Sequence, residues 1–519
     1  MSSTRALHRA LQQAPDSVLT VDGARTRTVR ETVNRIARLA GALRAAGVAE
    51  GDRVAVLGVN SDRFHEAILA TWWAGAVVNP VNTRWSVAEI GFSLRDCGSD
   101  VLVVDSAFGD ILPRLREVYP LRVVIAVDAP ASDGVLDFEE LIATGDPIAD
   151  ARRDDGDLAG IFYTGGTTGR PKGVMIAHGN LQASSLGVQA TSSNVTPGGA
   201  TLVALPMFHL ASLMLWNGQL VAGGRMVFLP GVDVPAVLDA IEAHRITSLV
   251  LVPTVMQQVV RELSARPRDV SSVRRLQYGA APMAPSLLEH AMRAFPLAGF
   301  GQGYGMTETS ANVTSLTPED HRAGRLDSVG RASRHTEIII ADPEGRELPL
   351  GEVGEILVRG ANVMLGYWNR PEETAAALRD GWMHTGDAGR LDDEGYLYLA
   401  DRIKDMIITG GENVYSAEVE HALVEHPQVS SCAVIGVPDA RYGERVHAVV
   451  IAEAGTDPRP DDLRSFVKAR VAGYKAPRSF TFVTEFPLSP TGKVLKHELR
   501  RHWCPDLEQH VTVEHGAQA

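Results

Sequence analysis

Apolar residues recur at helical spacing early in the chain, where Val29, Val33, Ile36, Ala40 and Leu43 mark one face of a helix. Thr28 with Glu31 three residues on forms a capping-box start, and Gly47 supplies the stop. A second helix is predicted from about Ser61, with Phe64, Ile68 and Trp72 on one side. Short apolar runs at 54–57, 77–78, 101–104, 123–127, 158–162, 201–205, 226–229 and 248–252 read as buried strands. Strand alternating with helix over about 300 residues predicts an α/β domain with largely parallel sheets.

The texture changes after residue 325. Short strand candidates at 337–340, 354–359 and 396–399 are separated by glycines and charged turns, which predicts a small β-rich subdomain. From 403 a compact α+β unit follows, with helices at 417–424 and 461–471 and strands at 433–437, 445–451 and 479–483. The charged run Asp401-Arg402-Ile403-Lys404-Asp405 marks the boundary, dividing the chain into domains 1–402 and 403–519. A chain of 519 residues exceeds what one core supports, in keeping with this division.

Composition narrows the function. A formal net charge of −13 argues against general nucleic-acid binding and for an enzyme acting on small molecules. Cys97, Cys432 and Cys504 lack metal-ligand spacing, which fits a reducing cytoplasm. No apolar run is long enough to span a membrane, and neither end carries a recognisable address, so a cytoplasmic location is expected.

Four clusters carry candidate chemistry. Residues 163–173 hold four glycines, three threonines and Lys172 directly after a strand, a composition suited to a phosphate-binding nest. It is not a Walker A loop, because Arg170 and Pro171 separate Gly169 from Lys172. A mobile surface loop is the plainer alternative. The second cluster, Gly301-Gln302-Gly303-Tyr304-Gly305-Met306-Thr307-Glu308, offers an aromatic face, a hydroxyl and a carboxylate, or else only a tight turn. The third is Thr385-Gly386-Asp387, read as a turn whose carboxylate can accept from ribose hydroxyls. The fourth runs from Pro487 to Lys493, where prolines and a glycine stiffen a loop ending in an ammonium. A solvated lysine is the plain reading there.

Together the clusters resemble the adenylate-forming superfamily of acyl-CoA synthetases, luciferases and peptide-synthetase adenylation domains, over nearly the whole chain from Ser61 to Lys493. Pro206-Met207-Phe208-His209, the segment 278–282, the hinge region 401–408 and Gly410-Gly411-Glu412-Asn413-Val414-Tyr415 also match. The resemblance implies ATP-dependent activation of a small-molecule carboxylic acid to acyl-AMP, then transfer to coenzyme A. It implies ATP phosphates on Thr164, Gly165, Gly166, Thr167, Thr168, Gly169 and Lys172, with Thr307 on the α-phosphate and Glu308 with Thr168 holding Mg²⁺. Adenine falls to Gly279, Ala280, Ala281, Tyr304 and Gly305, and ribose to Asp387 and Arg402. Lys493 bridges the carboxylate and α-phosphate, Lys404 is the hinge of a mobile C-terminal domain, and Gly410 and Gly411 shape the pantetheine tunnel. His209, Leu213, Trp216 and Gly303 line the acyl pocket, with His209 gating it or orienting the carboxylate; a core histidine satisfied by backbone is the alternative.

Two departures from the family pattern stand out: Gly165 replaces a usual serine, and Lys404 a frequent aspartate. Phe208-His209 lacks the aspartate that pairs with an α-amino group, which disfavours amino-acid substrates. The expected activity is carboxylate–CoA ligation. The alternatives are transfer to a carrier-protein thiol, an amine or nitrite, or a catalytically silent binding module. Fatty, aryl and short branched acids all remain open, as does oligomeric state, homodimers being frequent among relatives.

Overall fold

The structure, a computed structural model, describes residues 2–129, 134–164, 171–279, 283, 285–402, 405–410, 412–439, 441–488 and 494–503. Two large sheets dominate the first 330 residues of it. One has the strand order Gly366–Tyr367, Lys172–Ala177, Leu158–Thr164, Val77–Pro80, Arg53–Leu57, Val101–Asp105, Val123–Val127, Leu136–Asp137. From Leu158–Thr164 to the last strand every pairing is parallel, and the two strands at the other edge are antiparallel. The second sheet has a parallel centre of Gly299–Tyr304, Arg275–Gly279, Ser248–Leu251, Ala200–Val203, Arg225–Phe228 and Val18–Asp22. Antiparallel strands flank it, namely Thr314–Leu316 and Arg331–Ala332 on one side and Arg25–Thr28 on the other.

The central strands are apolar throughout because helices cover both faces of a parallel sheet. Val54, Ala55, Val56 and Leu57 are all buried, as are Val101 to Val104. The predicted capping box is formed: Glu31 N–H donates to Thr28 Oγ1 at 3.2 Å, and Thr28 N–H donates to Glu31 Oε2 at 2.7 Å, starting helix Val29–Ala45. Ser61 caps helix Asp62–Trp73 through Phe64 N–H at 3.1 Å. An aromatic core joins that helix to helix Leu210–Val221, where Trp216 meets His65 edge-on at 4.7 Å between ring centroids and Trp72 at 6.2 Å.

The β-rich segment forms a smaller sheet, in the order Thr336–Ala341, Gly354–Gly360, Trp382–Leu391, Leu378–Arg379, with Leu397–Arg402 also paired to Trp382–Leu391. The C-terminal part has its own sheet, Glu412–Val414, Ile407–Thr409, Gly443–Ala452, Val429–Asp439, with Ser479–Phe482 parallel to Gly443–Ala452. Helices Ser416–Val424 and Pro460–Lys468 contribute Val419, Leu423, Leu463 and Val467 to a separate core with Val434, Val446, Ala448 and Val450. The polypeptide divides into two compact units, one of Met1–Ile338, Val358–His384 and Gly395–Leu397, the other of Ile339–Leu357, Thr385–Glu394 and the chain from Tyr398.

Three local expectations are corrected. Thr385-Gly386-Asp387 is not a turn but the middle of the ten-residue strand Trp382–Leu391, where Gly386 takes a left-handed φ of +70° without ending the strand. The helix expected over 461–471 stops at Lys468. Lys172 does not sit in a loop but opens strand Lys172–Ala177, which forms a hairpin with Leu158–Thr164.

Candidate active site

The hairpin pairs Thr164 with Lys172 and Tyr163 with Gly173. Its tip, with Gly165, Gly166, Thr167, Thr168 and Gly169, lies outside the described residues, but both stems are fixed. A Cβ on Gly173 would lie 2.7 Å from Ile161 Cγ2 and 3.0 Å from Tyr163 Cζ, so only glycine lets the strands close over that ring. The Tyr163 hydroxyl donates to Asp96 Oδ2 at 2.8 Å. Burial, then Cys97 and Asp96, push this phenol well above its ordinary pKa, so it stays a donor.

The outer edge of Lys172–Ala177 is bound by a short strap, Gly366–Tyr367, which pairs Tyr367 with Val174. Trp368 N–H donates to Gly173 O at 2.7 Å and Leu365 N–H to Met175 O at 2.9 Å. Asp96 ties strap and stem together: its backbone oxygen accepts Trp368 Nε1–H at 2.9 Å and Asn369 Nδ2–H at 3.1 Å, while Oδ1 accepts Arg370 at 3.3 Å.

Glu308 lies in the short 3₁₀ turn Thr307–Thr309 and is 7% exposed. The turn leads into two non-glycine residues in the left-handed region, Ser310 at φ +50° and Ala311 at +69°. Such strain persists only where surroundings over-determine it. Buried Asn362 does so by donating Nδ2–H to Thr309 O at 2.9 Å and to Asn312 O at 2.8 Å. Ser310 Oγ–H donates to Asn362 O, Ser184 Oγ–H to Ser310 O, and Met364 N–H to Glu308 O, each at 2.8 Å.

The strap and this turn meet at one side chain. The Tyr367 hydroxyl donates to Glu308 Oε1 at 2.9 Å, and the Lys172 ammonium lies 5.1 Å from the centre of the Tyr367 ring. Burial, then the Glu308 carboxylate, raise the Tyr367 pKa, which keeps that hydroxyl protonated. A lysine ammonium and a carboxylate thus flank one ring at the base of the Gly/Thr segment. A lone buried carboxylate with phosphate oxygens is how Mg²⁺ is commonly held, so the donor set fits that ion.

Gly279 pairs with Gly303 at the C-terminal ends of neighbouring parallel strands, the usual ligand end of such sheets. A Cβ on Gly279 would lie 2.9 Å from Gly303 O, and one on Gly305 2.6 Å from Ala311 O. Only glycine fits at these two positions, and the second strand ends at half-buried Tyr304. Ala280 and Ala281 lie outside the described residues. His209 precedes helix Leu210–Val221, half-buried, its ring 4.3 Å from that of Phe208. Leu213 and Trp216 on that helix are fully buried, Trp216 against His65.

In the second unit, Gly386 N–H donates to Glu355 Oε1 at 3.1 Å and Asp387 N–H to Thr385 Oγ1 at 3.1 Å, which fixes the backbone carrying half-buried Asp387. Arg402 ends strand Leu397–Arg402. Gly410 has a φ of +64°, and its N–H donates to Tyr442 O at 2.8 Å. Lys404, Gly411 and Lys493 lie outside the described residues. Sequence reasoning missed Tyr367, Asp96 and Asn362; the only local signal was the Gly-Tyr-Trp run at 366–368, which has no periodicity.

Comparison with known proteins agrees over almost the full length. The AMP-binding enzyme family matches residues 7–368, and the AMP-binding enzyme C-terminal domain matches 418–493. A feruloyl-CoA synthase from Amycolatopsis sp is 41% identical over 496 residues, covering 95% of this chain and 98% of the relative. The solved amide bond synthetase McbA from Marinactinospora thermotolerans superposes with a TM-score of 0.88 at 33% identity, covering 97% of this chain and 100% of that one. ATP-bound MatB from Rhodopseudomonas palustris gives a TM-score of 0.88 at 33% identity, covering 98% and 100%.

Proposed function

The chain belongs to the AMP-binding enzyme family, and on that premise we propose that it is an ATP-dependent, AMP-forming carboxylate–CoA ligase. The observation that carries this reading furthest is the grouping of Lys172 and Glu308 around Tyr367 at the stem of the Gly/Thr hairpin.

In the first step a carboxylate oxygen of the acid attacks the α-phosphorus of ATP; the bond to pyrophosphate breaks and acyl-AMP forms. In the second, the thiol sulfur of coenzyme A attacks the acyl carbon, the thiol proton is lost and AMP leaves. The hairpin's threonines and backbone N–H groups, with Lys172, hold the phosphates that depart. Thr307 donates to the α-phosphate. Glu308, with Thr168, is the protein's site for Mg²⁺, which when bound neutralises charge between phosphates. Gly279 with Ala280, Ala281, Tyr304 and Gly305 receives adenine, Asp387 and Arg402 the ribose hydroxyls, and Gly303 lies on the acyl side. Lys493 offsets the negative charge shared by carboxylate and α-phosphate during attack.

Residues 1–402 act in this scheme as the adenylation domain and 403–519 as a mobile domain that turns about Lys404. After that turn, Gly410 and Gly411 accommodate the pantetheine arm, where side chains would block approach. His209 and Leu213, with Trp216 behind them, form the acyl side. A cytoplasmic location and a homodimeric assembly belong to the same proposal.

Acid-dependent ATP–pyrophosphate exchange across a panel of ferulic, other aryl, fatty and short branched acids tests the first step, and thioester formation with CoA tests the second. Exchange without thioester would shift the reading to another acceptor. The likeness to an amide bond synthetase makes an amine the acceptor to try next. No acid-dependent exchange with any acid would overturn adenylation itself.

A further inference from the structure

We propose that Tyr367 is a positioning residue of the nucleotide site, its hydroxyl fixing one oxygen of Glu308 while its ring carries Lys172. The inference rests on the nucleotide-site reading above and adds a residue to it.

The geometry is built from three directions. The strap pairs Tyr367 with Val174, two residues beyond Lys172 on the same strand, so the ring's location is set relative to Lys172 by main-chain bonding. Thr374 Oγ1 accepts Tyr367 N–H at 2.9 Å and donates to Arg370 O at 2.7 Å, which fixes the far side of the strap. Gly366 approaches Thr374 so closely, at φ +142°, that a Cβ there would lie 2.7 Å from Thr374 Cγ2. Glu308 arrives from the strained turn clamped by Asn362, and Met364 N–H holds its carbonyl at 2.8 Å.

This arrangement answers a problem intrinsic to the site. A lysine and a carboxylate that must both face a metal–nucleotide complex attract each other when it is absent. A direct ion pair would have to be broken each time substrate binds. The tyrosine gives each ion a separate partner. The ring face attracts the ammonium through its quadrupole, and the hydroxyl occupies Oε1 by a charge-assisted bond. The bond fixes the orientation of the carboxylate, and the ring holds the ammonium beside it without an ion pair between Lys172 and Glu308. Because the hydroxyl is a neutral donor, it orients the carboxylate without cancelling its charge.

The two functions of the side chain separate by substitution. Tyr367→Phe keeps the ring under Lys172 and removes the hydroxyl, so the Mg²⁺ concentration giving half-maximal exchange is expected to rise about tenfold, the loss of one hydrogen bond to a charged group. The KM for the acid and the rate of thioester formation from supplied acyl-AMP should stay within about twofold. Tyr367→Leu removes both functions and should also weaken ATP binding measured calorimetrically in EDTA, where Tyr367→Phe binds like wild type. In a Glu308→Gln background, Tyr367→Phe should leave calorimetric Mg²⁺–ATP affinity unchanged, because the charged acceptor through which the hydroxyl acts is gone. An unchanged Mg²⁺ requirement in Tyr367→Phe, or a parallel fall in both half-reactions, overturns the proposal. So does an undiminished effect of Tyr367→Phe in the Glu308→Gln background. Wild-type protein lacking acid-dependent exchange would instead overturn the ligase reading, so the two failures are distinguishable. Should Tyr367→Leu not fold, the Tyr367→Phe and Glu308→Gln pair decides the question alone.

Discussion

Replacing Asn362 with alanine tests whether the turn bearing Thr307 and Glu308 is held by hydrogen bonding or merely by packing. Asn362 is fully buried, and its amide donates to Thr309 O at 2.9 Å and Asn312 O at 2.8 Å. In the alanine variant Thr309 O keeps only the 3.3 Å bond from Asn312 N–H, and Asn312 O loses a donor. A buried polar group left without its partner costs about 1–3 kcal/mol, so the pair gives a destabilisation of about 2–4 kcal/mol. Asn362→Asp has nearly the same volume but presents oxygen to both carbonyls, so it should be worse than alanine, not better. Packing alone predicts the opposite order, since aspartate fills the space that alanine leaves empty. Thermal unfolding of the three proteins, followed by fluorescence, gives the ranking. Pyrophosphate exchange reports the turn's precision and should fall by about tenfold to a hundredfold, the range expected when a catalytic group shifts by roughly an ångström. Aspartate milder than alanine, or alanine within about 0.5 kcal/mol of wild type, would refute the reasoning.

Lys493→Ala should reduce acid-dependent exchange by about a hundredfold or more, as for loss of a group stabilising transition-state charge, yet still form thioester from supplied acyl-AMP; equal loss of both half-reactions removes the role assigned to it. Lys404→Pro should block thioester formation while sparing exchange, and retained thioester synthesis removes Lys404 as the hinge. Acid should destabilise the first unit through His65. Burial against Trp216 and Phe228 lowers its pKa to about 3 from an ordinary 6.5. The unfolded chain therefore binds the extra proton between those values. Stability is complete above about pH 7 and falls by about 1.4 kcal/mol per unit as pH drops from 6.5 towards 3. At pH 5 the loss is about 2 kcal/mol. His178, lowered by burial to about 4, acts in the same sense. His65→Leu should flatten the dependence of unfolding on pH between 6.5 and 5, and an unaltered slope would contradict the assignment.

What could be read from the chain beforehand was whatever is encoded locally. The Thr28–Glu31 capping box, the apolar strands at 54–57 and 101–104 and the glycine-rich segment at 163–173 each announce themselves within a few residues, and the first three are formed as read. Thr385-Gly386-Asp387 misled because glycine usually marks a turn, whereas a strand interior accepts one left-handed glycine when its neighbours' bonds persist. Trp216 shows a different limit: the apolar run around it does not reveal that the indole meets His65, more than 100 residues earlier in the chain.

The residues that join Glu308 to the Lys172 strand escaped for a deeper reason. Glu308 and Tyr367 are 59 positions apart, and Asp96 lies 272 before Trp368. Neither separation has a period or a spacing rule. Holding a buried carboxylate in one orientation takes contacts from several directions, which no short segment can supply by itself. Here a strap from a distant segment pairs along strand Lys172–Ala177, so that one tyrosine contacts that strand's lysine and the turn's glutamate together. The Gly/Thr loop is legible because backbone N–H groups need only glycine and a tight path. The side chains packed beside that segment are fixed by tertiary structure, which is why they emerge only once the strap is seen in place.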